Sequence, residues 1–227
     1  MLPLIVKKHR WIFFLGILFF LTTFNLSKSN FVNLFFQIKS IKYNKTLFLE
    51  ESLKAKAINL LIDKNLFLLN KKNIKNIFFQ NEWVKSVVFK KKFPNELYIH
   101  ITEYFPIGYY KVKEKKYLIN SNYSSSLFLN NIDLQHLIEF ENIKNLKELK
   151  IFVNKLKLYN KILSQIKKIE YIHENRWDII LKNEQLIKFG SYNLEEQTAI
   201  LEFFLKDKKI AMVDLRIRGQ IVVSYEK

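Results

Sequence analysis

The sequence predicts an α+β protein: an apolar N-terminal helix, then two mixed units, the second built on an antiparallel sheet. Three observations predict it. A run without charge extends from Trp11 to Leu26 behind the basic cluster Lys7-Lys8-His9-Arg10. From Phe36 to about Tyr104, strand and helix periodicities follow one another in the order β-α-α-β-β. From Pro106 onward, short strand-like segments recur, interrupted by two stretches of helical spacing.

As a helix, residues 11–26 span about 24 Å against a hydrocarbon core of about 30 Å, and Arg10 and Lys28 can snorkel at the ends. The segment is apolar on every face, which argues against a buried core helix. The basic cluster in front places residues 1–10 in the cytoplasm, residues 11–27 in the membrane and the rest outside. Ser27-Lys28-Ser29 offers the small residues of a signal-peptide cleavage site. The length and bulk of the run and the charge of Lys28 favour an uncleaved anchor instead. Trp11 is expected at the membrane interface.

In the first unit, Phe36–Tyr43 reads as a strand. Leu49, Leu53, Ala57, Leu60 and Leu61 recur at helical spacing, with Glu50 and Glu51 where the helix dipole favours acids. Asn70 is positioned to cap a second helix carrying Ile74, Ile77 and Phe78. Trp83–Lys90 is a strand, Lys91–Asn95 a turn, and Glu96–Glu103 a strand that places Leu97, Ile99 and Ile101 on one face. Further on, Gly108–Val112 and Lys116–Ile119 read as strands, and Ser124-Ser125-Ser126 as a loop. Ile143, Leu146, Leu149, Val153 and Leu156 form a helical stripe behind Asn142 as cap. Three strands follow, at residues 166–172, 177–182 and 185–189. Asn193 then opens a helix, with Glu196 spaced for a capping box and Leu194, Ile200, Leu201, Phe203 and Phe204 facing a core. Strands at 210–215 and 220–225 end the pattern.

The strings Glu82-Trp83-Val84-Lys85-Ser86-Val87-Val88-Phe89-Lys90, Phe93-Pro94-Asn95-Glu96-Leu97-Tyr98-Ile99 and Glu103-Tyr104-Phe105-Pro106 resemble the POTRA domain of the FtsQ/DivIB bacterial division proteins. Tyr117-Leu118-Ile119-Asn120, Arg176-Trp177-Asp178-Ile179 and Val213-Asp214-Leu215-Arg216 are similar to later elements of that family, in the same order. Tyr104 stands where the family usually has Arg, and Asn120 and Asn122 where acids are common. The resemblance implies a POTRA domain at residues 36–105 and the family's β domain at 106–227. It also implies a non-enzymatic scaffold at the septum of the inner membrane, recruiting FtsB and FtsL through the last strand and touching FtsK through the POTRA domain. Trp83, Val84, Pro94, Glu103, Pro106, Trp177, Asp214, Leu215 and Arg216 carry the structural part of the motif.

The residues themselves offer no catalytic constellation. The four histidines stand far apart, and four glycines leave little room for a phosphate loop. No cysteine is present, which excludes disulfides, thiolate sites and thiol nucleophiles. Glu50/Glu51 and Glu195/Glu196 open helices, where the dipole accounts for them. Glu103 is expected to pair with a lysine, and Asp214 with Arg216 across one side of a strand. Trp83 and Trp177 are expected to anchor cores. No cofactor, metal or small-molecule substrate is called for.

The working parts are then surfaces. Ile221 to Tyr225 form a terminal strand whose edge can template a partner strand, with Ile221, Val223 and Tyr225 on one side and Val222 and Ser224 on the other. An ordinary terminal strand, blunted by Lys227, fits the same residues. Asp214, Leu215 and Arg216 are expected to shape the end of the sheet rather than touch a partner. The net charge of +17 raises two alternatives, nucleic acid and an anchored binder of anionic polymer. Lysine spread along the chain, beside abundant Asn, Ile and Phe, argues for solvated surface over a phosphate-tracking groove. A POTRA-bearing envelope assembly factor is the third alternative, although barrel insertion needs many more amphipathic strands.

Overall fold

The computed structural model describes residues 11–19, 34–128, 133–157, 160–204 and 207–225. Residues 11–19 are helical, with Trp11 and the other large apolar side chains exposed. The rest of the expected anchor, its possible cleavage site, the tail at 1–10 and Lys227 lie outside the described residues. Among the described residues no helix is long and apolar enough to cross a membrane. The chain divides into two compact units, Met1–Glu103 and Tyr104–Lys227.

The first unit carries β1 (Ser40–Tyr43), α1 (Glu51–Leu61), α2 (Lys71–Phe78), β2 (Val84–Lys92) and β3 (Glu96–Glu103), the β-α-α-β-β order expected for a POTRA domain. The sheet order is β1-β3-β2, with β1 parallel and β2 antiparallel to β3. Alternation in β3 does the work foreseen for it, since Leu97, Ile99 and Ile101 are all buried. Asn70 accepts a hydrogen bond from the Lys72 N–H (3.1 Å), and Ile74, Ile77 and Phe78 go into the core. Leu60, placed on the helical stripe, instead faces solvent, while Ala57 and Leu61 carry the buried side of α1. Lys91 and Lys92 extend β2 rather than forming the turn, because each pairs across the hairpin with Leu97 or Glu96.

Polar side chains fix the loop ahead of α1. Asn44 donates to the Ile101 carbonyl (2.8 Å) and accepts from the Ile101 N–H (2.7 Å), so its amide imitates one more step of the β1–β3 pairing. Glu103 accepts from the N–H groups of Leu47, Phe48 and Leu49 at 2.8 to 2.9 Å. The expected lysine partner of Glu103 is therefore replaced by backbone donors ahead of a helix that has no side-chain cap of its own. Asn81, buried, donates to the Phe48 carbonyl (3.0 Å), and Phe48 stacks on Trp83 at 3.9 Å.

The second unit carries β4 (Pro106–Val112), β5 (Lys115–Asn120), β6 (Ser125–Leu127), β7 (Ile138–Glu141), α3 (Leu146–Leu156), α4 (Asn160–Leu163), β8 (Ile166–Tyr171), β9 (Trp177–Leu181), β10 (Leu186–Phe189), α5 (Leu194–Phe204), β11 (Ile210–Leu215) and β12 (Val222–Tyr225). Among the described residues these make one nine-stranded sheet, ordered β12-β11-β10-β9-β8-β7-β4-β5-β6. The sheet is mixed rather than antiparallel: β4–β7, β7–β8 and β10–β11 pair in parallel. Two of these pairs follow from their connections, because α3 with α4 links β7 to β8 and α5 links β10 to β11, and a helical crossover returns the chain in the same direction.

Other details depart from the sequence expectation. Ser125 and Ser126 belong to β6, and β7 was not anticipated. The cap of α3 is Asn145, which accepts from the Lys147 N–H (2.8 Å), while Asn142 adopts a left-handed φ of 56° and donates to Glu170. Asn193 does cap α5, accepting from the Glu195 N–H at 3.0 Å, but Glu196 lies 3.5 Å from Arg218. Phe203 is 82% exposed, whereas Leu194 and Leu201 are buried. Gln197 occupies the core side between them, accepting from the Gly190 N–H (2.7 Å) and donating to the Gly190 and Tyr192 carbonyls.

Candidate partner-binding edge

The register of the sheet carries two rows of side chains to its last strand. One row runs Phe140, Ile169, Ile179, Ile187, Val213 and ends at Val223. Its first five members are buried and Val223 packs partly against them. The opposite row runs Glu170, Asp178, Lys188, Asp214 and ends at Val222. Period-two alternation thus decides which side of β12 is seated on the core and which is free.

Along β12 itself, Val222 is 54% and Tyr225 61% exposed, and Ile221 just ahead of it is also exposed. Ser224 is half-buried opposite Met212. Ile221, Val223 and Tyr225 therefore do not share one environment: Val223 alone among them seats on the core. A register shift between Ile210 and Met212 separates the pairing of Tyr225 from that of Ser224. Among the described residues β12 has β11 as its single sheet neighbour, so its outer edge presents every second N–H and C=O without a strand to receive them.

The motif residues nearest this edge support it from behind. Leu215 is fully buried in a row with Phe189 and Trp177, and Trp177 stacks on Phe152 at 4.5 Å. Asp214 and Arg216 form the expected ion pair, with the guanidinium reaching both carboxylate oxygens at 2.5 to 2.9 Å. That hydrogen bonding holds the Asp214 carboxyl below its usual range and raises Arg216. Burial pushes Asp178 up, against the neighbouring charges of Lys188 and Arg216. Beside β12, Arg176, Asp214, Arg216, Ile217, Gln220 and Val222 line a cavity of 360 Å³. Within it the Arg176 Nε is buried without a hydrogen-bond partner, while its terminal nitrogen lies 2.6 Å from His173 Nε2.

Trp83, Val84, Pro94 and Glu103 lie in the first unit and Pro106 opens β4, so the motif residues split between two structural duties rather than converging on one centre. Trp83, Val84 and Trp177 are buried. Sequence reasoning did not anticipate Ile217 at the edge, and it placed Gln220 and Ile221 in the last strand, whereas β12 begins at Val222 and both lie in the connection from β11. Among the described residues no group of three or more His, Asp or Glu side chains is arranged to hold a metal ion.

Comparison with known proteins covers both units. Residues 37–104 match the family described as POTRA domain, FtsQ-type, and residues 112–216 the family described as cell division protein FtsQ/DivIB, C-terminal. The cell division protein FtsQ of Rickettsia bellii is 26% identical over 186 residues, covering 77% of this chain and 67% of the relative. The cell division protein DivIB of Clostridium tetani is 31% identical over 129 residues, covering 56% of this chain and 43% of the relative. The FtsQ of Rickettsia felis is 24% identical over 221 residues, covering 93% and 80%. The second family match ends at Arg216, ahead of β12.

Proposed function

The chain belongs to the FtsQ/DivIB family of bacterial cell-division proteins, and from that membership we propose that it is a non-enzymatic divisome scaffold. Residues 11–27 hold it in the inner membrane, with the N-terminus in the cytoplasm and the chain from residue 28 onward outside, at the division septum. There it adds a strand of an FtsB-like or FtsL-like partner to β12, and through this recruitment it helps control septal wall synthesis. The POTRA unit is left for other divisome members such as FtsK.

The observation that carries this reading is the exposed outer edge of β12 at the end of a nine-stranded sheet. A partner strand there gains main-chain hydrogen bonds, and Val222 on one face and Tyr225 on the other supply exposed apolar side chains for contact. Asp214, Leu215 and Arg216 hold β11 in place so that this edge is already formed before binding.

The test is a titration of the host's FtsB-like extracytoplasmic segment against residues 30–227, beside Val222→Pro and Val223→Pro. One of these positions directs its N–H outward and the other toward β11. The proline at the outward position removes only the free donor, so that variant keeps its circular dichroism and melting profile and loses binding. Wild-type affinity in both variants, each still folded, would rule out strand addition at β12.

A further inference from the structure

Around Phe36 the first unit carries a cluster of aromatic rings. The Phe36 ring lies edge-on to Phe35, Phe67 and Phe93 at centroid distances of 5.0, 4.6 and 5.9 Å, and Phe67 stacks on Phe93 at 4.8 Å. These rings come from three separate places: the lead into β1, the segment between α1 and α2, and the β2–β3 turn. Backbone bonds tie the three together. Leu66 donates to the Phe36 carbonyl (2.8 Å), Ile38 to that of Lys64 (2.9 Å) and Lys39 to that of Asn95 (2.9 Å). The Lys91 ammonium donates to the Phe67 carbonyl at 3.2 Å.

Such a cluster is ordinary inside a core. Here Leu34, Phe35, Phe67, Leu68 and Phe93 are each more than half exposed. A contiguous apolar patch of that kind, on a rigid base, marks a surface that something else covers. The charges around it are mostly cationic. Burial, and after it the charge of Lys71, hold Lys91 below the usual lysine range. Lys39 and Lys92 flank the β2–β3 turn, and Glu96 there is already engaged by Lys42 and Lys92.

We propose that this aromatic platform docks on the surface of the bilayer, its rings at headgroup depth and its lysines against anionic phospholipid. The inference rests on residues 11–27 being the membrane anchor. Given that anchor, Leu34 is seven residues from its end, at most about 25 Å even in a fully extended chain. The platform therefore cannot leave the neighbourhood of the membrane. Aromatic rings favour the headgroup region, and clustered lysines favour an anionic leaflet. A protein partner of unstated kind gains nothing from this tether; the bilayer is the one surface that the tether itself brings within reach.

The chain contains no cysteine, so single spin labels can be placed in residues 1–227 without other changes. Labels at Leu68→Cys and Phe93→Cys report the platform, Val88→Cys an exposed strand position in the same unit, and Gly16→Cys the apolar segment. The protein is reconstituted at low density in vesicles of phosphatidylethanolamine and phosphatidylglycerol, and circular dichroism checks that each variant folds. Positions 68 and 93 are expected to collide several-fold less with a water-soluble nickel chelate than position 88, and more with oxygen. The protection weakens when neutral lipid replaces phosphatidylglycerol. Chelate access at 68 and 93 equal to that at 88, with position 16 protected, overturns the docking and leaves the anchor standing. Access at position 16 as well overturns the anchor reading and the docking with it. Spin–spin broadening at 68 or 93 that survives dilution with lipid shows a second copy covering the platform, and also overturns the proposal.

Discussion

At the scale of single residues, the acids that the chain places most carefully hold backbone and neighbours in position. Glu103 receives three N–H groups ahead of α1. Hydrogen bonds to a charged acceptor contribute about 1.5 to 3 kcal/mol each in favourable settings, and leaving donors unmet costs further. Because these donors are exposed or only partly buried and can return to water, the contributions do not simply add, and Glu103→Ala is expected to destabilise the first unit by about 2 to 3 kcal/mol, and Glu103→Gln by less, in urea denaturation. A lysine partner was the reasonable reading of a lone acid ending a strand. The three amides that take its place belong to residues more than fifty positions away, and no local pattern announces them. Asp214 with Arg216 was legible, because residues two apart on a strand share a side. The Asp214 carboxyl is held below its usual value, so its folded pKa lies under the unfolded value of about 3.9. The pair then contributes its full stability above that value and loses it as pH falls through the folded pKa. Asp178, raised by burial, has the opposite sign and would blur a comparison of wild type with itself across pH. The difference in melting temperature between wild type and Asp214→Asn removes that contribution except for the lesser part of the Asp178 shift that Asp214 itself causes. It is expected to be constant from neutral pH to about pH 5 and to shrink below pH 4.

At the scale of elements, long segments with clean periodicity were readable and short ones were not. β3 alternates over eight residues and α2 carries both its cap and its stripe. β7 also alternates, with Ile138 and Phe140 against Glu139 and Glu141, but four residues are too few to separate a strand from a loop. Strand direction is invisible to alternation altogether, since parallel and antiparallel neighbours share the same period, and the mixed sheet followed from crossover helices instead. The central parallel pairing also depends on one residue without a side chain. A Cβ at Gly108 would lie 2.2 Å from the Phe140 ring and 2.4 Å from the Ile138 carbonyl oxygen. The Phe140 ring is buried in the core and has little room to turn, and the carbonyl is part of the β4–β7 pairing and cannot withdraw without opening it. Gly108→Ala is expected to cost the second unit about 1 to 3 kcal/mol, the range for overpacking, read as a lower denaturation midpoint in urea. Gly16→Ala, which meets nothing within 4 Å, serves as the neutral comparison.

At the scale of the whole molecule, the question is whether +17 of net charge or the shape of one sheet edge selects the partner. The described lysines do not gather into a single groove. Lys111 on β4 pairs with Glu139, and on β8 Lys167 pairs with Glu184 while its neighbour Lys168 pairs with Glu141, so acids divide the excess into small solvated patches. Surface pairs of this kind contribute little to stability and leave no continuous track for a polyanion. Strand addition at β12 gains its free energy from main-chain hydrogen bonds and apolar contact, both at short range and little affected by counterions. Binding to an anionic polymer releases counterions, and its affinity falls by orders of magnitude between about 50 and 200 mM salt. Isotherms of the FtsB-like segment against residues 30–227 across that range are therefore expected to change by less than about tenfold. A log–log slope as steep as that of a polyanion would mean that charge, rather than the edge, holds the partner. In that case removing the outward N–H of β12 would leave the affinity unchanged, so the proline variants and the salt series cross-check each other on the same protein.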